Sequence, residues 1–293
     1  MPPAHPLRGA LLCLVALALF ACMDATTKYL SQSHAVPLIV GVRYLGNFLL
    51  MVALLGPTHG SRMVRTKRTR LVVLRAICLA IGSLFIGLAL QRMPVAETTA
   101  MTFLAPILLV VVAGPVLGER VGWIGWAATL AGFAGVLLIA RPGGGMVTMG
   151  VVFALIAVVM NLGYQLLSRV LAASENTFAL LFYTALAGSV IYGIAMPWFI
   201  EDHAPSLLEA ALFLSLGILG GTGHFLFTAA FRLAPASLLA PLNYMQLLWA
   251  GLLGWLVFDD VPDAVSLLGM AMIAGSGVLV ALRTRMPPAK RTA

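Results

Sequence analysis

Two stretches of the sequence carry one pattern: MDATTKYLS at residues 23–31 and MNLGYQLLS at residues 160–168. Each places four polar side chains at positions i, i+3, i+4 and i+7 of an apolar segment: Asp24, Thr27, Lys28 and Ser31 in the first, and Asn161, Tyr164, Gln165 and Ser168 in the second. On a helix, this spacing puts all four side chains on one face. The repeated stripe predicts a duplicated unit with a polar cavity between its copies, as in a transporter.

The composition predicts a membrane protein. Of the 293 residues, 61% are hydrophobic and 10% are charged, whereas soluble domains carry about 25% charged residues. A soluble chain of this length would have no means of hiding so much apolar surface. The net charge of +8 is expected to reflect membrane orientation, and we expect no nucleic-acid partner.

Apolar segments of about 20 residues, the length that crosses a bilayer, define the predicted fold. We predict an all-α polytopic membrane protein with ten transmembrane helices arranged as two inverted five-helix repeats. The predicted domains are a first repeat at 1–141, a linker at 142–147, and a second repeat at 148–293 that ends in a basic tail. The predicted spans are 8–31, 36–56, 70–91, 94–117, 122–141, 148–171, 176–199, 207–232, 235–257 and 263–283.

Positive charge near the span ends predicts the orientation, because cytoplasmic loops are enriched in Lys and Arg. With a cytoplasmic N-terminus, three basic residues fall outside: Lys28, Arg92 and Arg141. Those inside are Arg8, Arg62, Arg65, Lys67, Arg68, Arg70, Arg120, Arg169, Arg232, Arg283, Arg285, Lys290 and Arg291. Both termini are therefore predicted to be cytoplasmic.

An odd number of spans per repeat means that the two copies enter the membrane in opposite directions. The copies also match outside the stripes, since Ala89, Pro94, Phe103 and Glu119 align at a constant offset with Ala230, Pro235, Tyr244 and Asp260. Inverted repeats commonly hold the substrate near the midplane, where the copies meet.

These features resemble the drug/metabolite transporter superfamily, EamA type, over nearly the whole chain. They are two five-span halves, a Pro-led fourth span in each half, and an acidic residue after it (Glu119 and Asp260). The nearest functional picture is that of the amino-acid exporters of the YddG kind. The resemblance implies a basket of ten helices around a central cavity, in a bacterial inner membrane.

Asp24 and Lys28 are the first candidates for substrate binding, because an ionisable residue inside the membrane is costly unless it meets a partner or a wet cavity. Two structural alternatives remain open. Asp24 and Lys28 are spaced to pair on one helix face, and Arg43, at a similar depth in the second span, is placed to bridge to Asp24. A pair that opens between states would act as a gate, so Asp24 and Arg43 are also the predicted gating residues.

Neutral polar and aromatic side chains complete the predicted substrate site, with ordinary helix packing as the alternative. They are Thr102, Phe103, Asn161, Tyr164, Gln165, His224, Asn243 and Tyr244. No second His or Cys stands at ligand spacing from His224, so no metal site is predicted. Catalytic residues and cofactors are not predicted either, because the sequence has neither an ATP-binding P-loop nor the usual hydrolase motifs.

Three further features have structural interpretations. Arg75, near the cytoplasmic end of its span, is expected to snorkel toward water. Glu97 follows Pro94 in a first helical turn, where negative charge is favourable. Gly217 and Gly221 predict a close helix crossing.

The sequence thus predicts a secondary transporter of small metabolites that works by alternating access, with amino-acid export as the function that the resemblance implies. Protons as a coupling ion, and facilitated diffusion without them, both stay open. The alternatives are a drug, nucleoside or nucleotide-sugar carrier of the same superfamily, a lipid-modifying membrane enzyme, and a structural membrane subunit.

Overall fold

A computed structural model describes residues 6–117, 123–140, 148–171, 174–200, 204–233, 239 and 242–283. Every regular element within these ranges is helical, which confirms the all-α prediction. The α-helices are α1 (Pro6–Leu30), α2 (Val36–His59), α3 (Thr69–Leu90), α4 (Val95–Thr102), α5 (Leu104–Leu117), α6 (Trp123–Ala140), α7 (Thr148–Leu171), α8 (Thr177–Ala195), α9 (Leu207–Leu233), α10 (Met245–Phe258) and α11 (Ala264–Arg283). Short 3₁₀ turns follow α2 and α8.

Six of the described helices are long and apolar enough to cross a bilayer. They are α1, α2, α3, α7, α8 and α9, which correspond to the first three predicted spans of each half. The remaining four apolar stretches are shorter: Val95–Leu109, Trp126–Ile139, Met245–Phe258 and Ala264–Ser276. The count of ten membrane crossings therefore stays a prediction.

Contacts between the helices fix the direction of the first half. Along α1 and α9 the residue numbers rise in opposite senses, as the contacts of Phe20 with Phe227 and of Met23 with Gly220 show. Helices α2 and α9 run in the same sense, with Gly46 against Gly217 and Leu50 against Gly221. Helix α1 is therefore antiparallel to α2.

Contacts with α8 fix the direction of α3. Helices α2 and α8 are antiparallel, with Gly41 against Tyr192 and Phe48 against Phe182. Helix α3 runs parallel to α8, because its Arg75 meets Leu180 and its Ala80 meets Tyr192.

Helices α3 and α7 are antiparallel, with Gly82 against Met160 and Phe85 against Phe153. It follows that α7 runs opposite to α1. The segments that begin the two halves therefore point in opposite directions, as an odd-numbered repeat requires.

The pattern of helix packing is also that of two exchanged halves. The contact of α1 with α9 has its counterpart in that of α7 with α3, and the contact of α2 with α9 has its counterpart in that of α8 with α3. The pairs α2 with α8 and α6 with α11 each join equivalent helices. The two halves are thus interleaved, and α1 packs mainly against the second half.

The fourth predicted span is broken at Phe103, which separates α4 from α5. Pro106 has no N–H group to offer the carbonyl of Thr102, and the chain tightens there, with the Phe103 amide bonded to the Ala100 carbonyl. The ninth span tightens at the equivalent place, where the amide of Gln246 bonds the carbonyl of Asn243. Pro241, which the sequence places within the ninth predicted span, lies outside the described residues.

The close crossing predicted at Gly217 and Gly221 is confirmed. A Cβ added to Gly217 would lie 2.9 Å from the Gly46 Cα, and one added to Gly221 would lie 3.1 Å from the Asn47 Oδ1. Backbone meets backbone at the first of these contacts, so it holds α2 against α9 without room for a side chain.

We expect Gly217→Ala to destabilise the protein by about 1–3 kcal/mol, because the new methyl group would force α2 and α9 apart. Thermal unfolding of the purified protein in detergent micelles measures the change. Gly251→Ala is the matched control, since a Cβ at Gly251 meets nothing within 4 Å. Equal midpoints for the two variants would contradict a stabilising role for this crossing.

Candidate functional site

The two helix breaks meet at the centre of the molecule. The rings of Phe103 and Tyr244, which occupy equivalent positions in the two halves, lie with their centroids 4.9 Å apart at an interplanar angle of 34°. Both residues are partly accessible. Broken helices at the interface of inverted repeats are where transporters commonly build their substrate sites.

Asp24 lies on the face of α1 that meets α10. Its Oδ2 accepts a long hydrogen bond of 3.5 Å from Nε2 of Gln246, two residues after Tyr244. The side chain is partly accessible although it sits well inside a predicted span. Asp24 and Gln246 are joined by this bond, Phe103 and Tyr244 by their ring contact, and Tyr244 and Gln246 lie two residues apart in the chain. These four side chains are here called the central cluster.

Arg43 approaches the central cluster from α2. Its Nη1 is 4.0 Å from the Sδ of Met23, and its guanidinium lies 5.4 Å from the centroid of the Tyr44 ring. Among the residues that the structure describes, Arg43 forms no ion pair within 4.0 Å with Asp24. The bridge between Asp24 and Arg43 is thus absent in this conformation, and their gating role stays a prediction.

Lys28 does not pair with Asp24, which corrects one of the two structural alternatives. Its Nζ donates to Oδ2 of Asp260 and to the Met93 carbonyl, both at 2.9 Å, and lies 5.0 Å from the centroid of the Phe258 ring. The reason is that a longer-range partner outcompetes the neighbour on its own helix. Asp260 comes from the second half of the chain, so this ion pair ties the two halves together.

An open pocket of about 750 Å³ adjoins the ion pair. Its walls include Lys28, Gln91, Met93, Pro94 and Asp260. Solvent in this pocket has direct access to Asp260, whose side chain is 31% accessible.

The polar side chains of the α7 stripe have two kinds of hydrogen-bonding partner. Nε2 of Gln165 donates to Oδ1 of Asn161 over 3.4 Å, and both side chains are partly accessible. The Tyr164 hydroxyl instead accepts a 2.8 Å hydrogen bond from Nη2 of Arg75. Asn161 and Gln165 therefore retain spare hydrogen-bonding capacity for a ligand, while Tyr164 is committed to a neighbouring helix.

Arg75 does not snorkel, and the expectation that it would is wrong. It is only 5% exposed, and its guanidinium binds oxygen atoms on α7 and α8. The acceptors are the hydroxyls of Tyr164, Ser168 and Thr184 and the carbonyl of Leu180, at 2.6–3.2 Å. The stripe on α7 indicated this site in the sequence, since Tyr164 and Ser168 are spaced so that both can bond one side chain. The sequence did not identify Arg75 as that side chain.

The remaining predicted site residues occupy the helices around the central cluster. The His224 ring packs against Phe20 with centroids 4.9 Å apart, and Asn243 accepts a weak 3.8 Å hydrogen bond from the Cys13 thiol. The Thr102 hydroxyl donates to the Thr99 carbonyl at 2.7 Å. All three predicted residues are partly accessible.

The arrangement suits the binding of a small organic solute. It offers one carboxylate, one guanidinium, several amides and two neighbouring aromatic rings. Within the described ranges, no group of three His, Cys, Asp or Glu side chains is placed to bind a metal. Polar side chains that converge on an aromatic wall are typical of small-molecule sites.

Comparison with known proteins agrees with this architecture. The profile of the EamA-like transporter family matches residues 7–141 and again residues 148–282. A solved crystal structure superimposes with a TM-score of 0.65 over 95% of this chain and 99% of that chain; at 20% identity, it supports the fold alone.

Three curated relatives match over almost their full length. The S-adenosylmethionine uptake transporter of Rickettsia prowazekii is 24% identical, over 91% of this chain and 90% of the relative. The riboflavin transporter of Vibrio cholerae is 26% identical, over 92% and 91%. The pseudopaline exporter of Pseudomonas aeruginosa is 25% identical, over 90% and 93%.

The double match of the profile covers most of the sequence, and six of the described helices have the length and apolar character of membrane spans. The chain therefore belongs to the EamA-like transporter family and is a polytopic membrane transporter.

Proposed function

We propose that the chain is a secondary transporter of the bacterial inner membrane that moves amino acids and similar zwitterionic metabolites. One observation carries this proposal. Asp24 and Arg43, of opposite charge and both partly accessible, lie on neighbouring helices without forming a direct ion pair in the described structure. Inside a membrane such charges need a partner or water, and a zwitterion supplies one partner to each.

In this proposal the ligand ammonium group binds Asp24 and the ligand carboxylate binds Arg43. A guanidinium suits the second task because it offers two parallel N–H groups to a carboxylate. Lys28, the cation expected from the sequence for this role, is already bonded to Asp260 and Met93. Arg43 thus takes the place of Lys28 as the proposed carboxylate ligand.

The rest of the ligand would lie against Phe103 and Tyr244, with Asn161 and Gln165 as neutral hydrogen-bonding partners. Such a wall fits apolar side chains of different sizes, which favours broad selectivity. S-adenosylmethionine, the solute of one relative, carries an α-amino group and an α-carboxylate. That chemistry is compatible with a site built on Asp24 and Arg43.

The two predicted repeats, 1–141 and 148–293 joined by a linker at 142–147, are the proposed moving units. Alternating access would follow from rocking of one half against the other around the central cluster. The helix breaks at Phe103 and Asn243 are natural hinge points, because their backbone hydrogen bonds are already altered. The proposed direction of transport is export, and both termini of the chain are proposed to be cytoplasmic.

A second candidate, transport of an aromatic solute such as a nucleoside or a flavin, is favoured by the adjacent rings of Phe103 and Tyr244. The riboflavin transporters among the relatives are compatible with it. Uptake of labelled solute into preloaded proteoliposomes by counterflow separates the candidates, with amino acids, S-adenosylmethionine, riboflavin, nucleosides and cationic drugs as the panel. Counterflow of riboflavin or nucleosides without counterflow of amino acids would overturn the zwitterion proposal.

We expect Asp24→Asn to reduce amino-acid counterflow about tenfold or more, because a hydrogen bond to a charged group contributes about 1.5–3 kcal/mol. The matched control is Asp259→Asn, which removes an exposed carboxylate at a left-handed position that asparagine tolerates. Both variants should elute from size-exclusion chromatography as the wild type does. Undiminished counterflow by the Asp24 variant would show that this carboxylate does not bind the solute.

We expect Arg43→Gln to remove the preference for a free carboxylate over its amide. The wild-type protein should favour an amino acid over the corresponding amino-acid amide by about tenfold, since the amide cannot form a charge-assisted pair with the guanidinium. Competition of each compound against labelled amino acid in counterflow measures the ratio. A variant that still prefers the acid by the same factor would place the carboxylate elsewhere.

A further inference from the structure

Glu97 is a buried carboxyl group that has no role in the proposed substrate site. It lies in the first turn of α4 and is 3% exposed, and its Oε2 is fully buried with no hydrogen-bond partner among the described residues. A favourable position at a helix N-terminus explains a surface glutamate. It does not explain an oxygen that is removed from water and left unbonded.

Both apolar residues and charged groups lie near this end of α4. Leu90, Val95 and Ala250 form a buried cluster at this end of α4. The charged groups that act on Glu97 are Lys28 from α1, and Asp260 and Asp263 from the segment between α10 and α11. Two of these three are acidic, so an ionised Glu97 would face repulsion as well as desolvation. The neutral acid is the form that such a site accommodates.

Among the described residues, the cation that acts on Glu97 is Lys28, and it is already bonded to another carboxylate. The Lys28 ammonium is bonded to Asp260 and to the Met93 carbonyl, and Met93 immediately precedes Pro94, the N-cap of α4. An ammonium group has three N–H donors, of which these two bonds use two. An exchange of one carboxylate for the other would proceed by a change of side-chain conformation at Lys28.

The two carboxylates differ in their need for Lys28. The Asp260 side chain is 31% accessible and faces the open pocket, so water can solvate it when Lys28 leaves. Glu97, at 3% exposure, has no such alternative. Ionised Glu97 thus requires Lys28, whereas ionised Asp260 does not.

We propose that Glu97 is the proton-carrying residue of this transporter, and that Glu97 and Asp260 are alternative partners of Lys28. With Lys28 on Asp260, Glu97 holds a proton. When Lys28 moves to Glu97, the carboxyl O–H bond breaks, the proton leaves to water in the pocket, and Asp260 remains as a hydrated carboxylate. Lys28 stays an ammonium ion throughout.

This exchange would couple the proton to the movement of the halves, and in this respect the inference rests on the proposed transport function. The bond from Lys28 to Asp260 joins the two halves, whereas a bond from Lys28 to Glu97 lies within the first half. Release of the proton would therefore accompany separation of the halves at this end of the molecule. The coupling ion would be a proton, with its site in the first turn of α4.

We expect the infrared spectrum of the purified protein at neutral pH to contain the C=O stretching band of a buried protonated carboxyl group. The part of the band that belongs to Glu97 should disappear in Glu97→Gln. It should also disappear in Asp260→Asn, although Glu97 is intact there, because Lys28 is then free to pair with it. Asp259→Asn is the control and should leave the band unchanged.

The Asp260 variant keeps the test decisive if Glu97→Gln does not fold. A band that is unaltered in Asp260→Asn, or a wild-type band that Glu97→Gln does not diminish, would overturn the proposal. These spectra need no solute, so they stand apart from the proposed function.

We expect Glu97→Gln to affect solute accumulation driven by a pH gradient but not solute exchange by counterflow. The panel solute with the largest wild-type counterflow serves as the probe. The variant should retain counterflow while losing at least tenfold of the accumulation driven by a pH gradient, because the glutamine holds its hydrogen permanently. Accumulation equal to that of the wild type would overturn the role of Glu97, whereas a wild-type protein without counterflow of any zwitterion would count against the proposed solute alone.

Discussion

A charge placed among apolar helices must be bonded or hydrated, since lipid offers it neither. This constraint sorts the ionisable residues of the transporter. Arg75 is bonded completely, through four oxygen atoms on two other helices, and has become part of the scaffold. Lys28 and Asp260 are bonded to each other across the halves. Asp24, Arg43 and Glu97 are not satisfied in this way, and the proposed chemistry is assigned to them for that reason.

The opposite directions of the two halves determine where these residues lie. Because α1 packs against α9 and α3 packs against α7, the stripe of each half faces helices of the other half. The Asp24 carboxylate consequently meets Gln246, and the guanidinium of Arg75 meets Tyr164. The equivalent helix breaks come together in the same way, which brings the rings of Phe103 and Tyr244 into contact.

The pattern of helix packing repeats in the two halves, whereas the side chains at equivalent junctions differ. At the junction of α3, α7 and α8, a buried arginine is held by hydroxyl groups, whereas the corresponding junction of α9, α1 and α2 is filled by Leu30, Ile39, Phe213 and Leu216. The two ends of one architecture therefore carry different chemistry. Such asymmetry allows one junction to hold a charged scaffold while α1 and α2, which form part of the other junction, present Asp24 and Arg43 to a solute.

Much of this organisation was predictable from sequence, because it depends on periodicity and hydropathy. The helical stripes, the apolar lengths of the spans and the glycine crossing at Gly217 all follow from local pattern. The alignment of the two halves also identifies Phe103 and Tyr244 as equivalent residues, although it does not predict that their rings are in contact. The partners of the charged side chains were less accessible: Arg75 was expected to snorkel, and one alternative paired Lys28 with Asp24 on its own helix. Both expectations were based on the local sequence around each residue, whereas Arg75 and Lys28 bond partners that are distant in the chain.

The sequence by itself therefore determined the helices, their embedding in a membrane and the repetition of one unit, since each is encoded by the order of apolar and polar residues along a single segment. Only the tertiary structure decided which charges are paired. An ion pair depends on a few ångströms between helices that are distant in sequence, and the spacing of residues along one helix does not contain that distance.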